Sequence, residues 1–301
     1  VAFFLWTAEV EQTSLPWRRK SKTKLLKKVL ITGASGGLGK ALSKHFSTNG
    51  WIVLATMLHL DPDEEMLQWA NVFCYELDVC SDISIVTAKE KIIAQHHSID
   101  TVINNAGIGY RSFVEESDDQ KIEEIIRINW LGVVKVCRAF IPVFKNQQYG
   151  QFINITSIAG LVNLPLGNFY HPTKHAVESF SECMAYELKE SNIKICTVQF
   201  GNIATHFQEN IHHEGEKKWS PNNKLKSMIA QLLAKRTGKN KGLIAKINNK
   251  ILSIAAHPAN NFKRYTIGFD ARLLKTLRNL LGYQLFGAII RLKIVNYTKS
   301  K

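Results

Sequence analysis

From Lys28 onward, short apolar runs alternate with segments of helical period. Val29–Ile31, Trp51–Thr56, Val72–Leu77, Thr101–Asn104, Gln151–Thr156 and Ile193–Gln199 read as six buried strands, and Arg264–Ile267 as a short seventh. Between them, Leu38–Asn49, Ile83–His96, Asp119–Phe140 and Pro172–Glu190 carry helical spacing, and Gly50 stops the first of these. Strands alternating with helices build βαβ units. The pattern therefore predicts an α/β fold, a Rossmann-like doubly wound parallel sheet in a single domain. Residues 206–264 break the rhythm, being polar, basic and rich in Asn and Lys, with a helical stretch at Leu225–Leu233. An insertion there, at the carboxyl edge of the sheet, is where a substrate lid would sit. The expected division is a flexible basic leader over 1–27, a nucleotide-binding catalytic core over 28–205, and a lid with a helical C-terminal extension over 206–301.

Composition narrows the class. Of 301 residues, 45% are hydrophobic and 21% charged, enough for a full core. The five cysteines (Cys74, Cys80, Cys137, Cys183, Cys196) are odd in number and form no C-x-x-C pair, which argues for reduced thiols and against a zinc site. The net charge of +14 is concentrated at the ends: residues 29–205 carry thirteen Lys and Arg against nineteen acids, whereas 206–301 carry nineteen against four. Neither an aromatic-interleaved RNA-binding pattern nor zinc-finger spacing accompanies the basic ends, so no nucleic-acid partner is expected. Val1–Trp6 is apolar but too short to span a bilayer, and it lacks the basic start and long apolar core of a secretory signal. The expected location is cytoplasmic, with membrane association through the C-terminal helix as the open addition. There Leu273, Leu274, Leu277, Leu280, Leu281, Leu285 and Phe286 interleave with Arg272, Lys275 and Arg278. Such a basic amphipathic helix suits either a membrane surface or packing on its own domain or subunit.

The chemistry gathers at the predicted strand ends. Thr32-Gly33-Ala34-Ser35-Gly36-Gly37-Leu38-Gly39 follows the first strand and runs into a helix, so a pyrophosphate could reach backbone N–H groups at a helix N-terminus. The spacing is neither G-x-G-x-x-G nor a P-loop. At the end of the second strand, Ala55-Thr56-Met57-Leu58-His59 offers no carboxylate for a ribose 2′-hydroxyl, which leans toward NADP over NAD. No Arg stands there either, leaving Thr56 and His59 as candidates for that end of a cofactor. Asp78-Val79 and Asn104-Asn105-Ala106-Gly107 end the third and fourth strands. Asn129 falls within the buried stripe of its helix (Ile122, Ile125, Ile126, Gly132, Val133, Val136) and so needs hydrogen-bond partners, from backbone or from an ordered water. Ser157 ends the fifth strand. Tyr170 and Lys174 then lie one turn apart on a helix start, where an ammonium beside a phenol favours the phenolate. In that arrangement Ser157 would hold a carbonyl oxygen and Tyr170 would transfer a proton.

Taken together, Thr32-Gly33-x-x-x-Gly37-x-Gly39, Asp78-Val79, Asn104-Asn105-Ala106-Gly107, Asn129, Ser157 and Tyr170-x-x-x-Lys174 resemble the short-chain dehydrogenase/reductase family over about residues 28–205. Lys174–Phe180 and the segment Arg264-Tyr265-x-Ile267-Gly268-x-Asp270-Ala271 are similar to members acting on steroids, retinoids and other apolar alcohols. The resemblance implies a catalytic tetrad of Asn129, Ser157, Tyr170 and Lys174, with Asn129 anchoring a water that relays protons from Lys174. It implies cofactor contacts from Gly33, Ser35, Gly36, Gly37, Leu38 and Gly39, from Thr56, Asp78, Val79 and Asn105, from Tyr170 and Lys174, and from Ile203 and Thr205. Its further implications are NADP or NAD as cofactor, an apolar carbonyl or alcohol as substrate, and a homodimer or homotetramer. One departure is Phe200-Gly201, where the family usually has Pro-Gly, which relaxes the turn beside the nicotinamide. The rival reading is a catalytically silent NADP-binding regulatory or membrane-surface protein.

Overall fold

The computed structural model describes residues 26–201, 211–213, 224–231 and 242–299. Seven strands form one sheet: β1 (Lys28–Thr32), β2 (Ile52–Met57), β3 (Val72–Glu76), β4 (Thr101–Asn104), β6 (Gly150–Ile155), β7 (Ile193–Phe200) and β9 (Lys263–Ile267). Their order is β3-β2-β1-β4-β6-β7-β9, and every neighbouring pair is parallel. The order reverses between β1 and β4, so a crevice opens there beyond the carboxyl ends of the strands. Two three-residue strands, β5 (Gly109–Arg111) and β8 (Ile211–His213), pair separately beside this edge.

Alternation along the strands feeds two core layers. Val29, Ile31, Val53, Ala55, Ile153 and Val198 face α1 (Gly37–Thr48) and α7 (Leu243–Ala256) through Leu42, Phe46, Ile247 and Ile251. Leu30, Leu54, Val102, Phe152 and Ile195 face α2 (Asp82–His96), α4 (Gly132–Asn146) and α5 (Tyr170–Glu187) through Ile85, Ile92, Val136, Phe140 and Val177. A mainly parallel sheet needs both faces covered, and these two layers do so.

Several boundaries differ from the sequence expectation. The single helix expected over Asp119–Phe140 is α3 (Asp119–Ile126), a π-helical turn at Arg127–Leu131, and α4, which continues through Pro142 to Asn146. The lid expected over 206–264 lies partly outside the described residues. A helix, α6, covers 224–231. Farther on, α7 and β9 are no lid: α7 supplies five buried apolar side chains to the first core layer, and β9 pairs with β7 from Cys196↔Lys263 to Phe200↔Ile267. Their polar appearance comes from the outer face of α7, where Lys246, Asn249 and Lys250 stand. The leader expected over 1–27 lies, up to residue 25, outside the described residues.

The C-terminal helix α8 (Phe269–Lys299) is broken at Gly282, whose φ of 62° and ψ of −172° leave the helical region. Its inner side packs on the segment just after Ser157: Ala271 and Phe286 are buried with Ile158 and Val162, flanked by Leu274, Leu281 and Ile290. Its outer side leaves Leu280, Tyr283 and Leu292 exposed. The stripe seen in the sequence is thus divided between the two sides.

Candidate active site

The glycine turn between β1 and α1 is held from both sides. Ala34 N–H donates to the Thr56 carbonyl (2.9 Å), and the Asn105 amide donates to the carbonyls of Thr32 (3.0 Å) and Gly33 (3.1 Å). The Thr32 hydroxyl accepts from the backbone N–H of both Asn105 and Ala106. Gly33 has φ +64°, and a Cβ there would lie 2.8 Å from the Ala106 Cα; a Cβ on Gly39 would lie 2.1 Å from the Gly33 carbonyl oxygen. These two positions require glycine for backbone reasons. Gly36 caps α1 in extended conformation with no side-chain cap, and a Cβ on it would meet nothing within 4 Å. The first N–H groups of α1 therefore face open space, a geometry that accepts a diphosphate. Ser35 is exposed beside them, whereas Leu38 is buried in the core and can offer only its backbone.

Thr56 differs from its expected part. It is fully buried, and its hydroxyl donates to the Ile31 carbonyl (3.2 Å), so its side chain is spent inside the sheet and does not reach a ribose. Only its carbonyl serves the site, through Ala34. Asp78 accepts from Cys80 N–H through Oδ1 (2.8 Å), and its own backbone N–H donates to the Ser84 hydroxyl (2.9 Å), which fixes the carboxylate at the edge. Val79 is buried against Gly132. Asn104, beneath Asn105, points into the sheet and donates to Asn154 Oδ1 (2.8 Å). Ile203 and Thr205 lie outside the described residues.

At the other half of the crevice, Ser157 leaves β6 and caps a short 3-10 turn by accepting from Ala159 N–H (3.1 Å). Its hydroxyl donates to the Phe200 carbonyl (3.5 Å) and stands near enough to the Tyr170 phenol to favour the phenolate. Lys174 follows one turn later on α5; it is 6% exposed, donates to the Ile155 carbonyl (3.3 Å), and stands 5.7 Å from the Tyr170 ring centre. Asn129 is fully buried within the π-helical turn. Its Oδ1 accepts from Ile108 N–H (2.8 Å), while Nδ2 donates to the Ile108 carbonyl (2.9 Å) and the Thr173 hydroxyl (3.3 Å). A Cβ on Gly107 would lie 3.1 Å from Asn129 Oδ1 and 3.6 Å from Lys174 Nζ, so these groups converge on the end of β4. The partners that burial required of this amide include the Ile108 backbone and Thr173. Single π-helical turns often occur at functional sites, since the extra residue re-aims a side chain.

Electrostatics in the chain alone run against the sequence expectation for the phenol. Burial pushes the Tyr170 phenol up to about 12, opposed by the nearby Ser157 hydroxyl and the Arg111 charge. Burial likewise pushes Lys174 down to about 8, opposed by the Glu178 carboxylate. For both groups desolvation is the largest effect. Burial also lowers His171 to about 4, against its Nδ1 contact with the Val162 carbonyl (2.7 Å). A neutral imidazole thus ties the loop before Tyr170 to its own helix.

Two residues of this region carried no sequence signal. Glu178, one turn beyond Lys174, is 3% exposed and collects Thr156, Thr197, Gln199 and Arg264. Arg111 sits on β5 within electrostatic reach of Tyr170. Finding either required knowing that β5, β7 and β9 come near α5, although the i, i+4 spacing of Lys174 and Glu178 was visible.

The model for short chain dehydrogenases matches residues 27–216, more than half of the chain and all of the site described above. The chain belongs to the short chain dehydrogenase family. Within it, a 3-ketodihydrosphingosine reductase from Bacteroides thetaiotaomicron is 37% identical over 182 residues, 60% of this chain and 66% of that protein. A short-chain type dehydrogenase/reductase, VdlC, from Helicobacter pylori is 27% identical over 272 residues, covering 88% of this chain and 97% of that one. The solved short-chain dehydrogenase from Streptomyces avermitilis superposes with a TM-score of 0.73 at 22% identity, covering 92% of this chain and 98% of that chain, and shares the fold. The aligned region spans just under two thirds of the Bacteroides reductase. Among the described residues no group of three or more His, Cys, Asp or Glu is placed to hold a metal ion, and no helix is long and apolar enough to cross a membrane.

Proposed function

We propose that the chain catalyses reversible hydride transfer between a nicotinamide cofactor and a carbonyl or alcohol group on a small apolar molecule. The observation that carries this reading is the Ser157 hydroxyl set beside the Tyr170 phenol, with the buried Lys174 one turn away, at the carboxyl edge of a parallel sheet. The dinucleotide, which supplies the hydride when bound, would be held by the open N-terminus of α1 and the turn Gly33–Gly39. Asp78, Val79, Asn105, Tyr170 and Lys174 complete its site, with Ile203 and Thr205 from beyond β7. NADP is favoured over NAD because no acid ends β2, where Leu58 is 57% exposed.

In this mechanism Ser157 donates to the reacting oxygen and stabilises its developing charge. Tyr170 gives or takes the proton at that oxygen as general acid or base. Lys174 supplies the positive charge that favours the phenolate once a substrate and cofactor change the hydration of the site. Asn129 positions rather than reacts: it fixes the Ile108 backbone and the Thr173 hydroxyl around Lys174, and would anchor a water that relays protons from Lys174. Of the apolar residues ahead of Tyr170, Val162 packs under α8 and Leu166 is buried, which leaves the half-buried Leu164 and Phe169 as an apolar wall; the Bacteroides relative's name, a reductase of a lipid-like ketone, agrees with an apolar substrate. The test is fluorescence titration with NADPH and NADH, followed by a carbonyl panel with the preferred one. Tyr170→Phe is expected to lower kcat by ~10³-fold or more while cofactor affinity stays within about twofold; near-normal turnover in that variant overturns the reading.

The location is cytoplasmic, with all five cysteines free, and it includes a lipid surface. Leu273, Leu277 and Leu280 before the kink, and Leu285, Ile289 and Leu292 after it, form exposed apolar rows at helical spacing, beside Arg272, Arg291 and Lys293. Apolar rows rimmed by cations fit an anionic bilayer surface. A homodimer or homotetramer would compete for the same face. Full-length protein is expected to pellet with vesicles containing anionic lipid at low salt and to be released at high salt; no lipid-dependent pelleting at low salt refutes the membrane contact.

A further inference from the structure

Arg111 presents a cation that the hydride-transfer scheme leaves unused. It ends β5, and its neighbours on both sides are tied to the segment that leads into Tyr170. Tyr110, fully buried, stacks on Phe169 with ring centres 5.2 Å apart and planes 21° from parallel. Ser112 accepts the Asn168 amide on its carbonyl (3.2 Å). The guanidinium is half-buried, and its charge acts on the phenol of Tyr170 and on His171.

What distinguishes Arg111 is that no described carboxylate answers its charge. Arg264, also half-buried, pairs with Glu178 (3.0 Å) and Glu182 (2.7 Å). Arg138 and Lys135, farther out, share Asp82. Among the described residues no carboxylate pairs with Arg111 and no group accepts a hydrogen bond from its side chain; burial lowers its pKa, opposed by the Tyr170 phenol and by no carboxylate. Burying a guanidinium without an anion is costly. A chain that keeps one beside a reactive tyrosine gains from it when a ligand brings the anion. A lone guanidinium offers a planar fork of N–H donors that matches a carboxylate in bidentate fashion, whereas phosphate sites usually gather several cations or a helix N-terminus.

We propose that Arg111 recognises a carboxylate on the substrate, so that the reacting molecule is an oxo acid or hydroxy acid with an apolar body. This deepens the proposed hydride-transfer function and rests on it for the reacting end. Ser157 and Tyr170 hold the carbonyl oxygen, Arg111 holds the acid, and the half-buried Leu164 and Phe169 lie along the body. Two polar anchors on one substrate fix its orientation as well as its affinity. The added residue is a specificity determinant; it exchanges neither proton nor hydride, and its charge acts on the phenol of Tyr170 from a distance.

The test compares wild type, Arg111→Met and Arg111→Lys as full chains. The substrates are medium-chain oxo acids with the oxo group at successive positions, each beside its methyl ester, which keeps the skeleton and removes the charge. Wild type is expected to prefer at least one acid over its ester by ~10–100-fold in kcat/KM, the worth of a charge-assisted hydrogen bond in a desolvated site. Arg111→Met should lose that preference chiefly through the KM of the acid and leave NADPH affinity unchanged, with any change in kcat from its charge on Tyr170 shared by acid and ester; Arg111→Lys should recover part of the preference. Equal losses in kcat/KM on acid and ester, or a matching loss of NADPH affinity, overturn the proposal in favour of a structural or cofactor role. Calorimetry with octanoate in the presence of NADPH gives a reading independent of turnover. Binding at least ~10-fold weaker in Arg111→Met supports the carboxylate site even where no ketone is reduced, in which case the hydride-transfer reading fails by itself. Equal octanoate binding in the two proteins refutes the carboxylate site.

Discussion

Lys174 and Glu178 stand one turn apart on α5, both almost wholly buried, and they use burial in opposite ways. Glu178 is surrounded by answers to its charge: the hydroxyls of Thr156 and Thr197, the Gln199 amide and the Arg264 guanidinium. Lys174 has one described hydrogen bond, to the Ile155 carbonyl at 3.3 Å, and a face of the Tyr170 ring nearby. The carboxylate is therefore part of the structure's framework, joining β6, α5, β7 and β9. The ammonium is held ready, with N–H groups left over for what enters the crevice. A buried charge with every lone pair engaged belongs to the fold; one with capacity to spare belongs to the chemistry.

That contrast can be broken first at Glu178. Replacing it by Ala leaves Arg264 facing only Glu182 and strands the Thr197 and Gln199 donors. Unfolding by urea should show a loss of about 3–5 kcal/mol, the usual cost of breaking a buried pair. A loss below about 1 kcal/mol would mean the network is incidental to stability. Lys174→Met should do the reverse, abolishing turnover while stabilising the chain, and the pH dependence gives the sharper reading. Below pH 8 the folded and unfolded chains both carry the lysine proton, and the cost of burying it applies in full. Between about 8 and the ordinary 10.5 the folded chain has shed its proton while the unfolded chain keeps it, so wild-type stability gains a contribution that rises with pH in that window. The gain is about 3 kcal/mol at most. Lys174→Met should lack this rise, so the difference between the two proteins, measured by urea titration at pH 7.5 and 10, should shrink as pH rises. A difference that stays constant would place the lysine's burial cost elsewhere.

Neither partner set could be read from the chain in order. The resemblance named Lys174 and the sequence showed Glu178 only as part of Lys174–Phe180, because the residues that answer it come from positions 156, 197, 199 and 264. Asn129 shows the middle case. Periodicity placed it in a buried stripe and hydrogen-bond accounting required partners, but the π-helical turn that aims it at Ile108 left no trace in the spacing of apolar residues. Thr56 shows the limit of strand-end reasoning. A threonine at the end of β2 was a fair candidate for a ribose contact, yet alternation and pairing turn it inward, onto the Ile31 carbonyl. The polar look of 206–264 misled in the same manner. The outward face of α7 supplies lysines and asparagines, and the sequence did not weight the buried Leu243, Ile247, Ile251 and Ile254 against them.

The sequence by itself determined the sheet and its edge: alternating apolar runs and helical segments admit few arrangements, and the glycine turn, Asp78, Asn105, Ser157 and Tyr170 all follow strands on the side where parallel strands end. It determined these because they depend on local spacing and on a handedness common to all βαβ units. Only the tertiary structure decided which charges are answered. Whether Glu178 is satisfied, whether Lys174 has donors to spare and whether Arg111 lacks an acid depend on groups brought together from distant strands, and solvation energy is set by those neighbours rather than by sequence order.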